Sequence, residues 1–228
     1  MPITLDKVVP WGRSLPEYIR MFDLSESDLK SNILDCGGGP ASFNAELTRR
    51  GAKVVSCDPI YRFSATELSQ RIEETHTEIL AKTQQSQKNF VWTDIASVED
   101  LKRIRMDAMK LFLQDFSLGL AEGRYQVAEL PTLPFHEQQF DLALCSHFLF
   151  TYDNLLACAF HLDSIRELCR VAREVRIFPL LPSFGKEHSI HVPEIMRELS
   201  AESYKTSIQR VPYEFQKGGN QMLVVSRT

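Results

Sequence analysis

The chain has 228 residues, of which 43% are hydrophobic and 25% are charged, and its formal net charge is −4 at pH 7. The composition is that of an ordinary globular protein. The charge argues against a nucleic-acid partner, because phosphate contacts require clustered lysines and arginines, and no apolar run reaches the ~18 residues that a membrane span needs.

The N-terminal residues and the cysteines predict a cytoplasmic protein. Residues 1–6 lack the basic and apolar regions of a secretory signal peptide. The five cysteines are odd in number and show no CxxC spacing, which predicts reduced, mostly buried thiols and no metal site. We expect a single α/β domain over residues 1–228, and the sequence does not predict an oligomeric state.

Four Ser-x-x-Glu or Ser-x-x-Asp patterns predict helix starts, because such a pair satisfies backbone N–H groups that the first turn leaves free. The predicted helices cover residues 14–22, a short stretch from 25, residues 64–82 and residues 97–116. The last helix is amphipathic, and its basic side chains fall largely outside the apolar face, so we expect them in solvent. These side chains are Lys102, Arg103, Arg105 and Lys110.

Short apolar runs between the helices predict a parallel sheet that is covered on both faces. They span residues 32–36, 53–58, 140–146 and 174–181, with Pro182 expected to end the last one. A helix over residues 41–50, capped by Gly51, completes a right-handed βαβ unit. Residues 204–215 and 221–226 predict a hairpin, and hence an antiparallel pair at the end of the sheet.

A glycine-rich turn, Gly37-Gly38-Gly39, follows the first predicted strand and precedes a helix. Such a turn lets a ligand lie against bare backbone, and the helix start behind it favours a carboxylate or a phosphate. Asp58 ends the next strand, where a carboxylate can accept hydrogen bonds from both hydroxyls of a ribose. Together the turn and Asp58 predict a nucleoside-containing ligand, either a dinucleotide or S-adenosylmethionine.

Two details of the turn favour S-adenosylmethionine. The dinucleotide pattern requires glycine where this chain has Ser42, and an acid, Asp35, stands two residues before Gly37. In both respects the stretch resembles motif I of class I S-adenosylmethionine-dependent methyltransferases, with Ala41 in place of a third glycine. The resemblance implies a doubly wound, Rossmann-like, mostly parallel seven-stranded sheet with a reversed last strand. It also implies contact between Asp35 and the α-ammonium group of the cofactor.

A second stretch, residues 127–147, is similar to the region after the third strand in small methyltransferases. The resemblance implies that Glu129 contacts the adenine amino group, where that family has an aspartate. Residues 11–13 and 62–64 resemble an uncharacterised bacterial subgroup. The full cofactor set that we expect is Arg13, Asp35, Gly37, Gly38, Gly39, Asp58, Pro59, Ala128, Glu129 and Ser146.

His147 is the candidate catalytic residue, because it follows a strand at the ligand-binding edge and its ordinary pKa of ~6.5 lets it take a proton at neutral pH. A purely structural histidine is the alternative. Residues 1–31 are expected to form a helical cap, and Arg13 in it is a candidate partner of the cofactor carboxylate. Residues 61–125 are expected to form a helical insertion, which either borders the acceptor pocket or is only structural.

The function that these features predict is methyl transfer to a small-molecule acceptor that the sequence does not identify. A non-catalytic S-adenosylmethionine-binding protein is one alternative. An NAD(P)-dependent oxidoreductase is another, and it is disfavoured by Ser42 and by the lack of a Tyr-x-x-x-Lys pair near the predicted site.

Overall fold

The structure is a computed structural model that describes residues 9–227. Residues 1–8 and 228 lie outside the described residues. Two predictions fall there, the lack of a signal peptide in residues 1–6 and the first part of the 1–31 cap. None of the helices within the described range has the length and apolar character needed to cross a membrane.

Within residues 9–227 the chain alternates helices and strands. The helices are α1 (Leu15–Met21), α2 (Phe43–Thr48), α3 (Ala65–Gln85), α4 (Val98–Ala121), α5 (Cys158–Val171) and α6 (Val192–Ala201). The strands are β1 (Asn32–Cys36), β2 (Lys53–Cys57), β3 (Tyr125–Gln126), β4 (Phe140–Ser146), β5 (Ala172–Phe178), β6 (Tyr204–Arg210) and β7 (Gln221–Arg227).

The strands form one sheet in the order β3-β2-β1-β4-β5-β7-β6. The first five are parallel, and β7 runs antiparallel to both β5 and β6. This confirms the predicted α/β fold with a mostly parallel seven-stranded sheet and an antiparallel C-terminal hairpin. The chain winds away from β1 in one direction through β2 and in the other through β4, so a crevice is expected at the carboxyl ends of these strands.

Side-chain caps explain why the predicted helices begin where they do. The Ser64 hydroxyl accepts from the Glu67 N–H at 3.3 Å, and the Ser64 N–H donates to the Glu67 carboxylate at 2.8 Å. The Ser97 hydroxyl accepts from the Asp100 N–H at 3.1 Å. Both helices extend three to five residues beyond their predicted ends. The helices α5 and α6 have no side-chain cap of this kind, so the capping patterns did not predict them.

Three predictions about the strands and the basic face of α4 were wrong. The strand β5 ends at Phe178, because Pro179 has no N–H to continue the ladder. The strand β6 ends at Arg210, because the following residues leave the sheet and the Phe215 carbonyl accepts instead from the Val91 N–H at 2.7 Å. Arg105 is buried rather than solvated, with 1% of its surface exposed.

The insertion is held on the β3 edge of the sheet by aromatic packing. Tyr61, Phe112, Phe116 and Tyr125 form a buried cluster with ring centroids 5.1–6.0 Å apart. A methyl group on Gly119 would stand 2.4 Å from the Tyr125 ring, so α4 approaches β3 as closely as a glycine allows. This packing fixes α4 against the β3 edge of the sheet.

Candidate functional site

A cavity of about 620 Å³ lies at the carboxyl ends of the parallel strands. Its walls include residues that directly follow β1, β2, β3 and β4, where doubly wound sheets bind their ligands. The structure brings together most of the predicted site residues on this cavity. They are Arg13, Gly37, Gly38, Gly39, Asp58, Pro59, Ala128, Glu129, Ser146 and His147.

The glycine turn requires glycine for two reasons, a left-handed backbone at Gly37 and Gly39 and a lack of space at Gly38. Gly37 and Gly39 have φ values of +68° and +54°, a region that glycine adopts without strain. A methyl group on Gly38 would stand 2.3 Å from the carboxylate of Asp35. The Gly37 N–H donates to the Cys57 carbonyl at 2.8 Å, which ties the turn to the end of β2.

Asp58 is already held by two backbone donors and can accept more. One carboxylate oxygen accepts from the Gly39 N–H and the other from the Ile60 N–H, each at 2.9 Å. A carboxylate has about four acceptor sites, so each oxygen keeps one for a ligand. Burial raises the pKa of Asp58 to about 6, with repulsion from Glu129 acting in the same direction. Asp58 is therefore ionised at neutral pH and suited to a pair of hydroxyl donors.

Asp35 does not line the cavity, in contrast to the prediction that it meets the ligand directly. It is 1% exposed and lies beneath Gly38, where the hydroxyls of Tyr18 and Ser56 donate to it at 3.0 and 2.9 Å. Burial raises its pKa to about 7. The physical reason for the difference is that the turn folds over the acid, so Asp35 supports the turn from behind while Tyr18 stands on the cavity wall.

Two guanidinium groups, those of Arg13 and Arg105, lie on the cavity wall, and Arg105 is paired with a carboxylate. Arg105 donates to both oxygens of Glu17, and Tyr213 donates to the same carboxylate at 3.0 Å. Burial alone would raise the pKa of Glu17, but the charge and hydrogen bonds of Arg105 outweigh it and hold the pKa at about 2. Glu17 is thus ionised and compensates one of the two cations.

Arg13 is the guanidinium group that has no ion pair among residues 9–227, although the nearby charge of Glu17 acts to raise its pKa. The one hydrogen bond that its guanidinium group makes within that range goes to the Trp11 carbonyl at 3.1 Å, and its buried Nε–H has no acceptor there. Burial and the neighbouring charge of Arg105 lower its pKa to about 10, which leaves it cationic at neutral pH. A partly buried cation whose Nε–H has no acceptor favours an anion in the cavity beside it.

His147 has a strained backbone at the end of β4. Its φ is +49°, which is uncommon outside glycine, and its N–H donates to the Phe178 carbonyl at 2.6 Å. The Ser146 hydroxyl is 2.9 Å from Nδ1. Burial, followed by the charges of Arg13 and Arg105, lowers the pKa of His147 well below its usual range. The imidazole is therefore neutral, which a proton acceptor requires.

The cavity has two sections of different construction. The glycine-loop section is formed by Gly37, Gly38, Gly39, Asp58 and Glu129. The insertion section is formed by Ile79, Phe90, Leu101, Arg105, Phe184 and Phe215, which come from the insertion and from the loops after β5 and β6. The Phe90 ring stacks on Phe215 at 4.8 Å and meets Phe184 edge-on at 5.9 Å.

Sequence reasoning missed several residues that shape the site. Arg105 was the clearest of these, although a signal existed, because a 3.6-residue period aligns it with Leu101, Ala108 and Phe112 on the apolar face. The Tyr61 hydroxyl, which donates to the Gly39 carbonyl at 2.8 Å, had no signal in the sequence. Phe184 and Phe215 lie in irregular segments, which have no helical or strand periodicity from which their positions could have been predicted.

Comparison with known proteins identifies the family of this chain. It is 35% identical over 231 residues to the uncharacterized protein MJ0045 of Methanocaldococcus jannaschii, and the match covers 99% of both chains. The chain belongs to the family of this archaeal protein. No family model matches the chain. Since MJ0045 is archaeal, the predicted bacterial subgroup is not confirmed.

Solved structures resemble this chain at low sequence identity. The magnesium protoporphyrin IX methyltransferase ChlM of Synechocystis PCC 6803, crystallised with S-adenosylmethionine, has a TM-score of 0.48 and 14% identity over 94% of this chain and 78% of its own. A SAM-dependent methyltransferase from Aquifex aeolicus has a TM-score of 0.44 and 16% identity over 92% of both chains. At these values the ligand has to be inferred from the site itself.

Proposed function

We propose that this protein binds S-adenosylmethionine in the glycine-loop section and transfers its methyl group to a small molecule in the insertion section. The observation that carries the proposal is that one cavity is lined by a bare glycine turn, by Asp58 with free acceptor sites on both oxygens, and by Arg13, which has no carboxylate partner among residues 9–227. A ribose and an amino-acid carboxylate, both parts of S-adenosylmethionine, match these two groups.

Each residue of the glycine-loop section has a place in this proposal. Asp58 would hold the ribose hydroxyls, Gly37 to Gly39 would border the amino-acid part, and Arg13 would pair with its carboxylate. Ala128 and Glu129 would border the adenine, as the resemblance implies, and Ser146 and Pro59 would complete the wall. Asp35 would act through Tyr18 rather than by contact with the ligand.

The chemistry that the cofactor supplies is a methyl group on a sulfonium, which is already activated for displacement. The chain itself has to position the acceptor, exclude water and accept a proton where the acceptor carries one. His147 is suited to the last task, because it borders the cavity and is neutral. The enclosing aromatic side chains of the insertion section serve the first two.

Ligand-dependent thermal unfolding tests the proposal. S-adenosylmethionine and S-adenosylhomocysteine are expected to raise the melting temperature, whereas NAD is not, because a ligand stabilises only the folded state that binds it. Stabilisation by NAD alone would contradict the proposal and favour the oxidoreductase. Binding of S-adenosylhomocysteine without transfer of labelled methyl to any acceptor would favour the non-catalytic alternative.

A single substitution tests the assignment of Asp58. Asp58→Asn keeps the size of the side chain but loses the charge that strengthens hydrogen bonds from hydroxyls, so we expect the dissociation constant of S-adenosylhomocysteine to rise about tenfold in calorimetric titration. Asp107→Asn is the matched control, since this aspartate is exposed on α4. Equal affinities of the two variants would remove Asp58 from the site.

A further inference from the structure

The insertion section has one cation, Arg105, and no carboxylate on its wall among residues 9–227, and Arg13 borders the same cavity. Among residues 9–227 the acidic side chains that border the cavity are Asp58 and Glu129, and both belong to the glycine-loop section. The guanidinium group of Arg105 borders the insertion section, and the charge of Arg13 reaches both Arg105 and His147. An acceptor that carries a positive charge is therefore disfavoured there.

Two buried donors at this place have no acceptor in the part of the chain that the structure describes. The Nε–H groups of Arg13 and Arg105 are unpaired, and Arg105 is 1% exposed. A buried donor without a partner costs free energy, and a charged donor costs more. Arg13 and Arg105 carry two positive charges, and Glu17 supplies one negative charge beside them. An anionic oxygen of the acceptor would be stabilised by the remaining positive charge.

The remaining wall favours a flat apolar body. Phe90, Phe184 and Phe215 surround this part of the cavity with ring centroids 4.8–5.9 Å apart, and Ile79 and Leu101 add aliphatic surface. Aromatic side chains in offset or edge-on arrangement pack well against aromatic ligands. Phe184 has a φ of +59°, so its backbone carries strain at the point where it closes this wall.

We propose that the acceptor is a phenol, that is, an aromatic molecule whose hydroxyl is ionised beside Arg13 and Arg105 and then methylated on oxygen. This inference rests on the proposed function. The hydroxyl proton passes through His147 to solvent, the phenolate oxygen forms a bond to the methyl carbon, and the S–CH3 bond breaks with its electron pair left on the sulfur. The products are an aryl methyl ether, S-adenosylhomocysteine and a proton released to solvent, and His147 stays neutral.

Two probes of equal size test the proposal without any variant. The protein is saturated with S-adenosylhomocysteine and titrated with para-nitrophenol or with para-nitroaniline. We expect para-nitrophenol to bind at least about tenfold more tightly, as charge-assisted hydrogen bonds require. We also expect its visible phenolate absorption to grow on binding, at a pH where the free probe is mostly protonated. Equal affinities, binding of the protonated form, or no binding of either probe would overturn the proposal.

A double variant tests the role of the guanidinium group. Glu17→Gln/Arg105→Gln replaces the buried ion pair by two amides, so no unpaired charge is left behind. We expect it to bind S-adenosylhomocysteine as the wild type does but to lose most of the preference for para-nitrophenol. An unchanged preference would remove Arg105 from the proposal. Failure of the wild type to bind S-adenosylhomocysteine would instead contradict the proposed function itself, so the two failures are distinguishable.

Discussion

The two sections of the cavity are built in opposite ways. The glycine-loop section uses backbone N–H groups and the carboxylates of Asp58 and Glu129, from turns that follow β1, β2 and β3. The insertion section uses side chains from α3, α4 and the loops after β5 and β6, which meet through aromatic contacts and one buried ion pair. Ligand binding by the glycine-loop section should therefore be sensitive to substitutions that add atoms to the turn. The stability of the insertion section should be sensitive to substitutions that remove side-chain atoms.

The largest effect is expected from removing one partner of the buried ion pair. Arg105→Ala leaves Glu17 buried and ionised without its main partner. We expect the free energy of unfolding, measured by urea denaturation, to fall by about 3–5 kcal/mol. Such a loss would show that the insertion section is part of the stable core.

The neighbouring arginine provides the control for that comparison. Arg103→Ala changes a side chain that is 64% exposed, so we expect a change within about 0.5 kcal/mol. If Arg105→Ala lowered the free energy of unfolding as little as Arg103→Ala, the stability of the insertion section would not depend on the ion pair. The proposed difference between the two sections would then be wrong.

A smaller effect on stability, but a larger one on binding, is expected from adding one methyl group to the glycine turn. In Gly38→Ala the new Cβ would stand 2.3 Å from Asp35 and 3.0 Å from the Tyr61 hydroxyl. The turn has to shift, which we expect to cost about 1–3 kcal/mol of stability and to weaken S-adenosylhomocysteine binding at least about tenfold in calorimetric titration.

Gly123→Ala is the matched control for the turn. Gly123 has a φ of +74°, but a Cβ there meets nothing within 4 Å, so only backbone strain is added and the cavity is untouched. Its dissociation constant for S-adenosylhomocysteine should equal that of the wild type. Equal affinity of the Gly38→Ala variant would mean that the turn does not border the ligand.

The smallest effect is a change in how stability depends on pH. Burial raises the pKa of Asp35 from its ordinary value of 3.8 to about 7 in the folded state, so the folded state holds an extra proton between these values. The stability that this group contributes is therefore present at low pH and is lost as the pH rises to about 7. Asp35→Asn has no such loss. We expect the variant to gain on the order of 1 kcal/mol relative to the wild type between about pH 6 and about pH 8.

Chemical denaturation at the two pH values measures this gain. A difference between variant and wild type that is the same at both would show that Asp35 does not titrate in this range. The same experiment with S-adenosylhomocysteine present tests whether the acid acts only through the turn, because a supporting role predicts weakened binding without a change in the stoichiometry of one ligand per chain.

Much of the fold could be predicted because its signals are local. Capping pairs such as Ser64 with Glu67 specify helix starts over three residues, and continuous apolar runs specify buried parallel strands. The glycine turn and Asp58 could be placed together for the same reason, since parallel pairing of β1 with β2 brings their carboxyl ends side by side. Arg105 was wrongly predicted to be in solvent. Its buried position depends on Glu17, which is 88 positions away in the chain and which no local pattern connects to it.

The sequence by itself determined the capped helices, the long buried strands, the bare turn after β1 and the acid after β2, because each depends on residues that are close in the chain. Only the tertiary structure decided that Asp35 lies behind the turn, that Arg105 pairs with Glu17 across 88 positions, and that Phe90, Phe184 and Phe215 close one wall. These contacts join segments that packing brings together, and packing depends on the whole core rather than on any one stretch.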